Sequence, residues 1–198
     1  MGNAVGKVGL WALMAGWAAL PAAAQQVRNE FGVWAGFSPL SPTIIGTAPD
    51  CQYAIAALRY GRMLSHGEHV AWEYTLDVVP AAILLQPLEA QGGRSAVYGF
   101  GVSPIGFKLV FRPHGRLQPF LSTSGGLVYS VQPVPIDIPG ATQFNFTFHF
   151  GGGVQFFSSP HRSIVAGYRL DHISNAYRSN VNPGVDANVI FAGFSFWR

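Results

Sequence analysis

One pattern constrains the fold of this chain more than any other: apolar and polar residues alternate strictly over several segments. In F144-N-F-T-F-H-F150 every second residue is phenylalanine, and residues 69–78 (HVAWEYTLDV) alternate in the same way. A period of two is that of a β-strand, whose successive side chains point to opposite faces. In a soluble sandwich the apolar face would form the core, whereas in a membrane barrel it would contact lipid. The alternation therefore predicts strands but leaves their environment open.

The N-terminal segment has the order of features found in a secretory signal peptide. Lys7 precedes an apolar stretch at 8–20, and alanines at 22–24 supply small residues for cleavage. The apolar stretch is too short for a comfortable membrane span. We therefore predict a signal peptide at 1–24 and a single domain at 25–198.

The composition of the chain favours lipid as its environment. Only 11% of the residues are charged, against about 25% in ordinary soluble domains. No stretch after the signal peptide reaches the roughly 20 apolar residues that a membrane-spanning helix needs. A closed β-barrel is the other structure that satisfies its backbone hydrogen bonds in lipid. The basic residues form no stripe, which argues against a nucleic-acid partner, and the single cysteine, Cys51, excludes an internal disulfide.

The spacing of the alternating segments predicts eight strands. They are expected at 28–37, 52–64, 69–84, 96–112, 116–130, 142–157, 162–174 and 185–197. Short turns at 65–68, 113–115 and 158–161 alternate with longer loops at 38–51, 85–95, 131–141 and 175–184. This arrangement is typical of bacterial outer-membrane barrels, whose termini are periplasmic and whose long loops are external. We therefore predict an all-β fold, an eight-stranded antiparallel transmembrane β-barrel with a filled interior rather than an open channel.

Two features are predicted inside and along the barrel wall. The outward set of residues changes face near Pro104, which indicates a bulge. Charged residues on the inward face need partners, so an interior network is expected. It would comprise Glu73, Asp77, His149, Arg169 and Asp171.

The last hairpin carries polar residues on its outward face. Strand parity puts His172 and Ser174 on that face of the seventh strand and Asp186 on the same face of the eighth. If the hairpin is symmetric about Ser179, His172 lies directly opposite Asp186, where Cβ atoms are about 4.5–5.5 Å apart. Asp171, although nearer in sequence, points inward.

These residue types, in this order, are those of a serine nucleophile and its base. A serine hydroxyl needs a base to remove its proton, and the base needs a third group to fix its tautomer. Asn175 and Asn182 lie in the same segment and are candidates for stabilising an oxyanion. The alternative is a polar barrel rim, because Asn, Pro and Gly are common in loops. The H66-G-E-H69 segment lacks the helical spacing of a metal motif and is predicted to be a turn.

The motif His-x-Ser-Asn at 172–175, followed by Asn-x-Gly-x-acid at 182–186, resembles that of the lipid A 3-O-deacylase family of Gram-negative outer membranes. The resemblance implies an eight-stranded barrel that hydrolyses the ester-linked 3-hydroxyacyl chain at position 3 of lipid A. It implies that His172 is the base, Ser174 the nucleophile and Asp186 the orienting acid, with Asn175 and Asn182 assisting the oxyanion. The family acid is typically glutamate, one methylene longer than aspartate, so the exchange Asp186→Glu is expected to preserve or raise activity.

The sequence thus predicts an outer-membrane serine esterase whose partner is lipid A in the outer leaflet, near the external face of the membrane. No metal or organic cofactor is expected, and a homodimer stays open. An outer-membrane phospholipase is an alternative within the enzymes. A non-catalytic small barrel, acting as an anchor, an adhesion scaffold or a binder of small hydrophobic molecules, is the alternative outside them.

Overall fold

Eight antiparallel strands make up the computed structural model of the chain, which describes residues 28–88 and 92–198. The strands are β1 (Asn29–Ser38), β2 (Gln52–His66), β3 (Val70–Pro87), β4 (Arg94–Phe111), β5 (Leu117–Val134), β6 (Thr142–Ser159), β7 (Arg162–Ser174) and β8 (Val185–Trp197). The predicted signal peptide at 1–24 lies outside the described residues. Within the described ranges, no helix is long and apolar enough to cross a membrane.

The sheet closes on itself. Each strand pairs with its neighbours in sequence, and β1 also pairs with β8. At this seam the N–H of Asn29 donates to the carbonyl of Arg198 at 2.6 Å, and the N–H of Arg198 donates back at 2.9 Å. Closure leaves no free strand edge. The predicted fold class, an eight-stranded antiparallel β-barrel, is confirmed.

The predicted number and order of strands are also confirmed, but several strands are longer than predicted. β3 continues to Pro87 rather than residue 84, and β5 continues to Val134 rather than residue 130. Prolines 87 and 133 suggested loops in the sequence. A proline is nevertheless tolerated near a strand end, where its missing N–H costs little pairing. The loops after β3 and β5 are therefore shorter than expected.

Side chains alternate between the two surfaces of the barrel wall. On β6, Phe146, Phe148 and Phe150 are 38%, 50% and 56% exposed on the outside, whereas Asn145 and His149 are buried inside. Large apolar side chains exposed around a closed barrel form the surface that contacts lipid. The bulge predicted near Pro104 is confirmed, because the β4–β5 register shifts between Val102 and Ile105.

The interior is filled by polar side chains rather than by a channel. Lys108 Nζ lies 2.8 Å from Glu73 Oε2 and 3.4 Å from Glu30 Oε2, and all three side chains are buried. Two further ion pairs, each at 2.7 Å, lie in the same interior. They join Arg59 to Asp77 and Arg169 to Asp171. Each of these carboxylates thus has a cationic partner, as burial requires. The predicted interior residues, Glu73, Asp77, His149, Arg169 and Asp171, are all buried, so their interior position is confirmed.

The two ends of the barrel differ in their connections. The end with the turns at 67–69, 112–116 and 160–161 is called the short-turn end here. The opposite end, the long-loop end, carries the connections at 39–51, 88–93, 135–141 and 175–184. Loop 39–51 packs on loop 175–184, because the N–H groups of Thr47 and Ala48 both donate to the carbonyl of Gly184, at 2.9 and 3.1 Å. The polar residues singled out in the sequence lie at this end.

Candidate active site

Three side chains meet on the outer wall where β7 ends and β8 begins. His172 and Ser174 occupy alternate positions of β7 and therefore share one face. Asp186 is the second residue of β8, and the register pairs it directly with His172. The pairing predicted from hairpin symmetry is confirmed.

The imidazole of His172 contacts both neighbours, one through each ring nitrogen. Its Nε2 lies 3.0 Å from Ser174 Oγ, and its Nδ1 lies 2.7 Å from Asp186 Oδ1. A carboxylate can only accept a hydrogen bond, so the proton of a neutral His172 belongs on Nδ1. Nε2 is then left as the acceptor for the Ser174 hydroxyl. This is the orientation in which a histidine can act as a base toward a serine.

The second carboxylate oxygen of Asp186 is held by backbone alone. Asp186 Oδ2 accepts the N–H groups of Ile44, Ile45 and Gly46 at 2.8, 2.7 and 2.9 Å. The Ser41 hydroxyl also donates to the backbone carbonyl of Asp186. Asp186 is fully buried as a result, although it belongs to the outward set of β8. Sequence reasoning missed this segment, which lies about 140 residues from Asp186 along the chain.

Two glycines allow the chain to pass close to the histidine. A Cβ atom at Gly46 would lie 2.5 Å from the carbonyl oxygen of Gly184, and one at Gly184 would lie 2.6 Å from His172 Cε1. Contacts this short are not tolerated between real atoms. Gly184, the glycine of the Asn-x-Gly-x-acid motif, therefore leaves space for the His172 imidazole. Gly46 leaves space for loop 39–51 to pass close to Gly184.

Asn175 connects loops in this structure. Its side-chain Nδ2 donates to the carbonyls of Gly140 and Val181 at 2.8 and 3.0 Å, and its Oδ1 accepts the N–H of Tyr177 at 2.9 Å. Both amide hydrogens are thus engaged in loop contacts, which leaves the backbone N–H as the remaining hydrogen-bond donor of Asn175. Asn182 is half-buried, and its Oδ1 has no hydrogen-bond partner among the described residues.

An apolar surface adjoins Ser174 and His172. Phe146 pairs with Ser174 across the β6–β7 ladder, and Phe148 pairs with His172. Both phenylalanines are exposed on the outside of the barrel. The hydroxyl and the imidazole therefore border a surface that faces lipid. No group of three or more His, Cys, Asp or Glu side chains suited to a metal ion occurs in residues 28–88 and 92–198.

Comparison with known families decides the family of the chain. A model of the family described as lipid A 3-O-deacylase (PagL) matches residues 57–195, which is more than two thirds of the chain. The chain belongs to the PagL family of lipid A 3-O-deacylases. The matched range contains the whole His172–Asp186 segment, and the predicted resemblance is confirmed. Membership of this family, with a closed barrel, makes the chain a β-barrel of the bacterial outer membrane whose family acts on lipid A.

Solved structures agree with this at the level of fold. The crystal structure of the outer membrane enzyme PagL aligns with a TM-score of 0.60 and 16% identity, covering 83% of this chain and 97% of that one. Ail, the attachment invasion locus protein of Yersinia pestis, aligns with a TM-score of 0.51 and 13% identity, covering 87% and 99%. No curated protein matches the chain in a sequence search. Ail illustrates that this fold occurs beyond the deacylases, so function has to be argued from the site.

Proposed function

We propose that this member of the PagL family is a serine esterase that hydrolyses the ester-linked 3-hydroxyacyl chain at position 3 of lipid A. Ser174 is the nucleophile, His172 the general base and then the general acid, and Asp186 the group that orients His172. The observation that carries the proposal is the continuous row of contacts, 3.0 Å from Ser174 Oγ to His172 Nε2 and 2.7 Å from His172 Nδ1 to Asp186 Oδ1.

The reaction begins with attack of Ser174 Oγ on the ester carbonyl carbon, while Nε2 of His172 takes the hydroxyl proton. The tetrahedral intermediate carries its negative charge on the former carbonyl oxygen. When it collapses, the bond to the sugar oxygen breaks and His172 returns the proton to that oxygen. The sugar leaves with a free 3-hydroxyl group, and the acyl chain stays on Ser174.

Water completes the cycle by the same route. His172 removes a proton from a water molecule, which attacks the acyl-enzyme; His172 then returns the proton to Ser174 Oγ as the acyl–oxygen bond breaks and a 3-hydroxy fatty acid leaves. The imidazolium that forms in both half-reactions is stabilised by Asp186, which keeps its negative charge because four hydrogen bonds reach its two oxygens. We assign oxyanion stabilisation to the backbone N–H of Asn175 and to the side chain of Asn182.

The position of Ser174, His172 and Asp186 on the outer wall supports a membrane lipid as the substrate. Exposed phenylalanines of β6 flank Ser174 and His172, so an acyl chain in the outer leaflet can lie against the barrel beside the nucleophile. The long-loop end, where the row lies, is the end assigned to the external face, and lipid A occupies the external leaflet. A substrate in this place needs no passage through the filled interior.

The test is a mass comparison of lipid A extracted from cells that express matched variants. The parent is expected to yield lipid A that lacks one 3-hydroxyacyl chain, and Ser174→Ala is expected to leave lipid A intact. Ser158→Ala, which alters an exposed serine at the short-turn end, serves as the matched control and is expected to behave as the parent. Intact lipid A with the parent at equal barrel expression would refute the deacylase, and release of fatty acid from phospholipid instead would identify a phospholipase.

A further inference from the structure

The two oxygens of the Asp186 carboxylate have different surroundings. Oδ1 faces His172, and Oδ2 faces three successive N–H groups of loop 39–51, at residues 44–46. Consecutive backbone N–H groups that converge on one point form a concave site for an anion. Such donors keep a fixed direction, because they belong to the main chain.

One torsion angle of the Asp186 side chain decides where its two carboxylate oxygens lie. Rotation of the carboxyl group about the Cβ–Cγ bond of an aspartate is broad and weakly restrained. If it turned, the oxygen facing His172 would move off the line to Nδ1, and the imidazole would lose its orientation. Three hydrogen bonds to Oδ2 remove that freedom, since only one rotation satisfies all of them together.

The side chains of the same loop residues are not what holds the segment in place. Ile44 and Ile45 are 66% and 57% exposed, pointing away from the carboxylate. The segment is fixed instead by main-chain contacts: Thr47 and Ala48 bond to Gly184, and Gly46 packs on Gly184 without a side chain between them. Removal of an N–H can therefore be separated experimentally from removal of a side chain.

We propose that residues Ile44–Gly46 are a positioning segment for Asp186, and that their N–H groups fix its carboxylate so that Oδ1 is presented to His172. This inference rests on the proposed roles of Ser174, His172 and Asp186. The segment touches neither the nucleophile nor the base, and it acts through Asp186.

The segment also changes the expected effect of Asp186→Glu, which the sequence predicts to preserve or raise activity. The carboxylate in Asp186→Glu would lie about one bond length further out. In a fully buried place it would lose part of the amide contacts, so we now expect that exchange to lower activity.

The experiment compares two substitutions at one position. Ile45→Pro removes the N–H group that donates at 2.7 Å, whereas Ile45→Ala keeps the N–H and removes the exposed side chain. Deacylation of purified lipid A in detergent by the refolded full chain is measured for both. We expect Ile45→Pro to lower kcat by about 10- to 100-fold with KM little changed, as a displaced catalytic group does, and Ile45→Ala to match the parent.

The same pair is then placed in an Asp186→Ala background, where the N–H groups have no carboxylate to hold. There Ile45→Pro is expected to have no further effect on kcat. An equal loss in both backgrounds would mean that the loop matters only as a cover, and would overturn the inference. If Ile45→Pro fails to refold, Gly46→Ala replaces it, because the added Cβ would lie 2.5 Å from the Gly184 carbonyl oxygen and push the segment away.

A second measurement is independent of turnover. In protein labelled with ¹⁵N-histidine, the Nδ1–H proton of His172 is expected at low field in the parent and in Ile45→Ala, and shifted upfield or absent in Ile45→Pro. If the parent proves inactive on lipid A, the proposed function fails while this signal still decides whether the segment positions Asp186. A low-field proton that survives unchanged in Ile45→Pro overturns the inference whatever the activity.

Discussion

Among residues 28–88 and 92–198 there are two serine–histidine pairs, one on each side of the barrel wall. On the outside, Ser174 Oγ lies 3.0 Å from His172 Nε2; inside, Ser124 Oγ lies 2.6 Å from His149 Nδ1. The inner histidine even has an aspartate opposite it, since His149 pairs with Asp171 across the β6–β7 ladder. By residue type and cross-strand distance alone, the two sites look alike.

They differ in where the acid points and in the surface that the serine borders. Asp186 turns toward His172, whereas Asp171 bonds to Arg169 at 2.7 Å. Both serines are buried, with Ser124 6% and Ser174 7% exposed, but the inner pair lies in the polar interior, whereas the outer pair borders exposed phenylalanines on the lipid-facing side of the wall. A buried aspartate with an arginine at hand is best satisfied by the full positive charge. A serine and a histidine in contact are therefore only part of a catalytic site. The site also needs an acid hydrogen-bonded to the histidine and a surface on which the substrate can lie.

Removal of each serine in turn tests whether the two sites differ in function. Ser174→Ala is expected to lower the deacylation rate by about 10⁴-fold or more, as loss of a nucleophile does. Ser124→Ala is expected to leave the rate within about 2-fold, because it deletes only one interior hydrogen bond. Rates on purified lipid A in detergent provide the measurement. A large loss with Ser124→Ala in correctly folded protein would show that the inner pair takes part after all.

The two aspartates should separate activity from stability. Asp186→Ala is expected to lower kcat by about 10³- to 10⁴-fold, because His172 loses the group that orients it and stabilises its charged form. Asp171→Ala leaves Arg169 buried without its carboxylate, so it is expected to lower the free energy of unfolding by about 3–5 kcal/mol, with activity retained in the folded fraction.

Urea unfolding in detergent, followed by tryptophan fluorescence, measures the second effect alongside the activity assay. The reverse result, in which Asp171→Ala abolishes turnover and Asp186→Ala does not, would exchange the roles of the two sites.

A third nucleophilic side chain, Cys51, has neither a base beside it nor exposure to solvent. It is 2% exposed, and burial raises the pKa of its thiol to about 11. Since the thiolate is the reactive form and the raised pKa keeps the thiol protonated at neutral pH, labelling by a maleimide should be slow. Its rate should rise about 100-fold between pH 7 and pH 9 in folded protein, as the thiolate fraction grows tenfold per pH unit. Labelling that is fast and independent of pH would show that the loop end at Cys51 opens readily.

The turn that follows Ser174 holds two residues in a strained backbone conformation. Ala176 and Tyr177 adopt positive φ angles of 52° and 59°, and the N–H of Arg178 closes the turn on the Asn175 carbonyl at 3.1 Å. This conformation costs a non-glycine residue about 1–2 kcal/mol, so Ala176→Gly is expected to raise the free energy of unfolding by about 1 kcal/mol. Ala192→Gly, on the outer face of β8, is the matched control and should lower it by about 0.5–1 kcal/mol. The inner pair lies in regular strands and has no such strain to relieve.

Much of this site could be predicted from sequence because strand geometry has a period of two. Once residues 162–174 and 185–197 are strands, parity assigns His172, Ser174 and Asp186 to one face, and the midpoint of the connecting loop sets the register. The same reasoning turned Asp171 inward. Regular structure extends a local pattern over many residues, which is why these predictions were confirmed.

The contacts that the sequence did not predict lie in loops, where no period exists. The N–H groups of residues 44–46 meet Asp186 across 140 to 142 residues, through backbone groups that every residue type except proline carries. A feature of the sequence that could have pointed to this segment is a short apolar run followed by glycine, Ile44-Ile45-Gly46, within the loop. The use of both Asn175 amide hydrogens as ties to Gly140 and Val181 was equally invisible, because it depends on how loops from different hairpins meet.

The seam between β1 and β8 determines when the site can exist. Asp186 lies on the last strand, and the N–H groups that hold its carboxylate follow the first strand, so the two halves come together only when those strands pair. On the proposed roles, a barrel whose seam is still open has no oriented acid and no working esterase. On those roles, hydrolysis of lipid would be confined to the completed barrel.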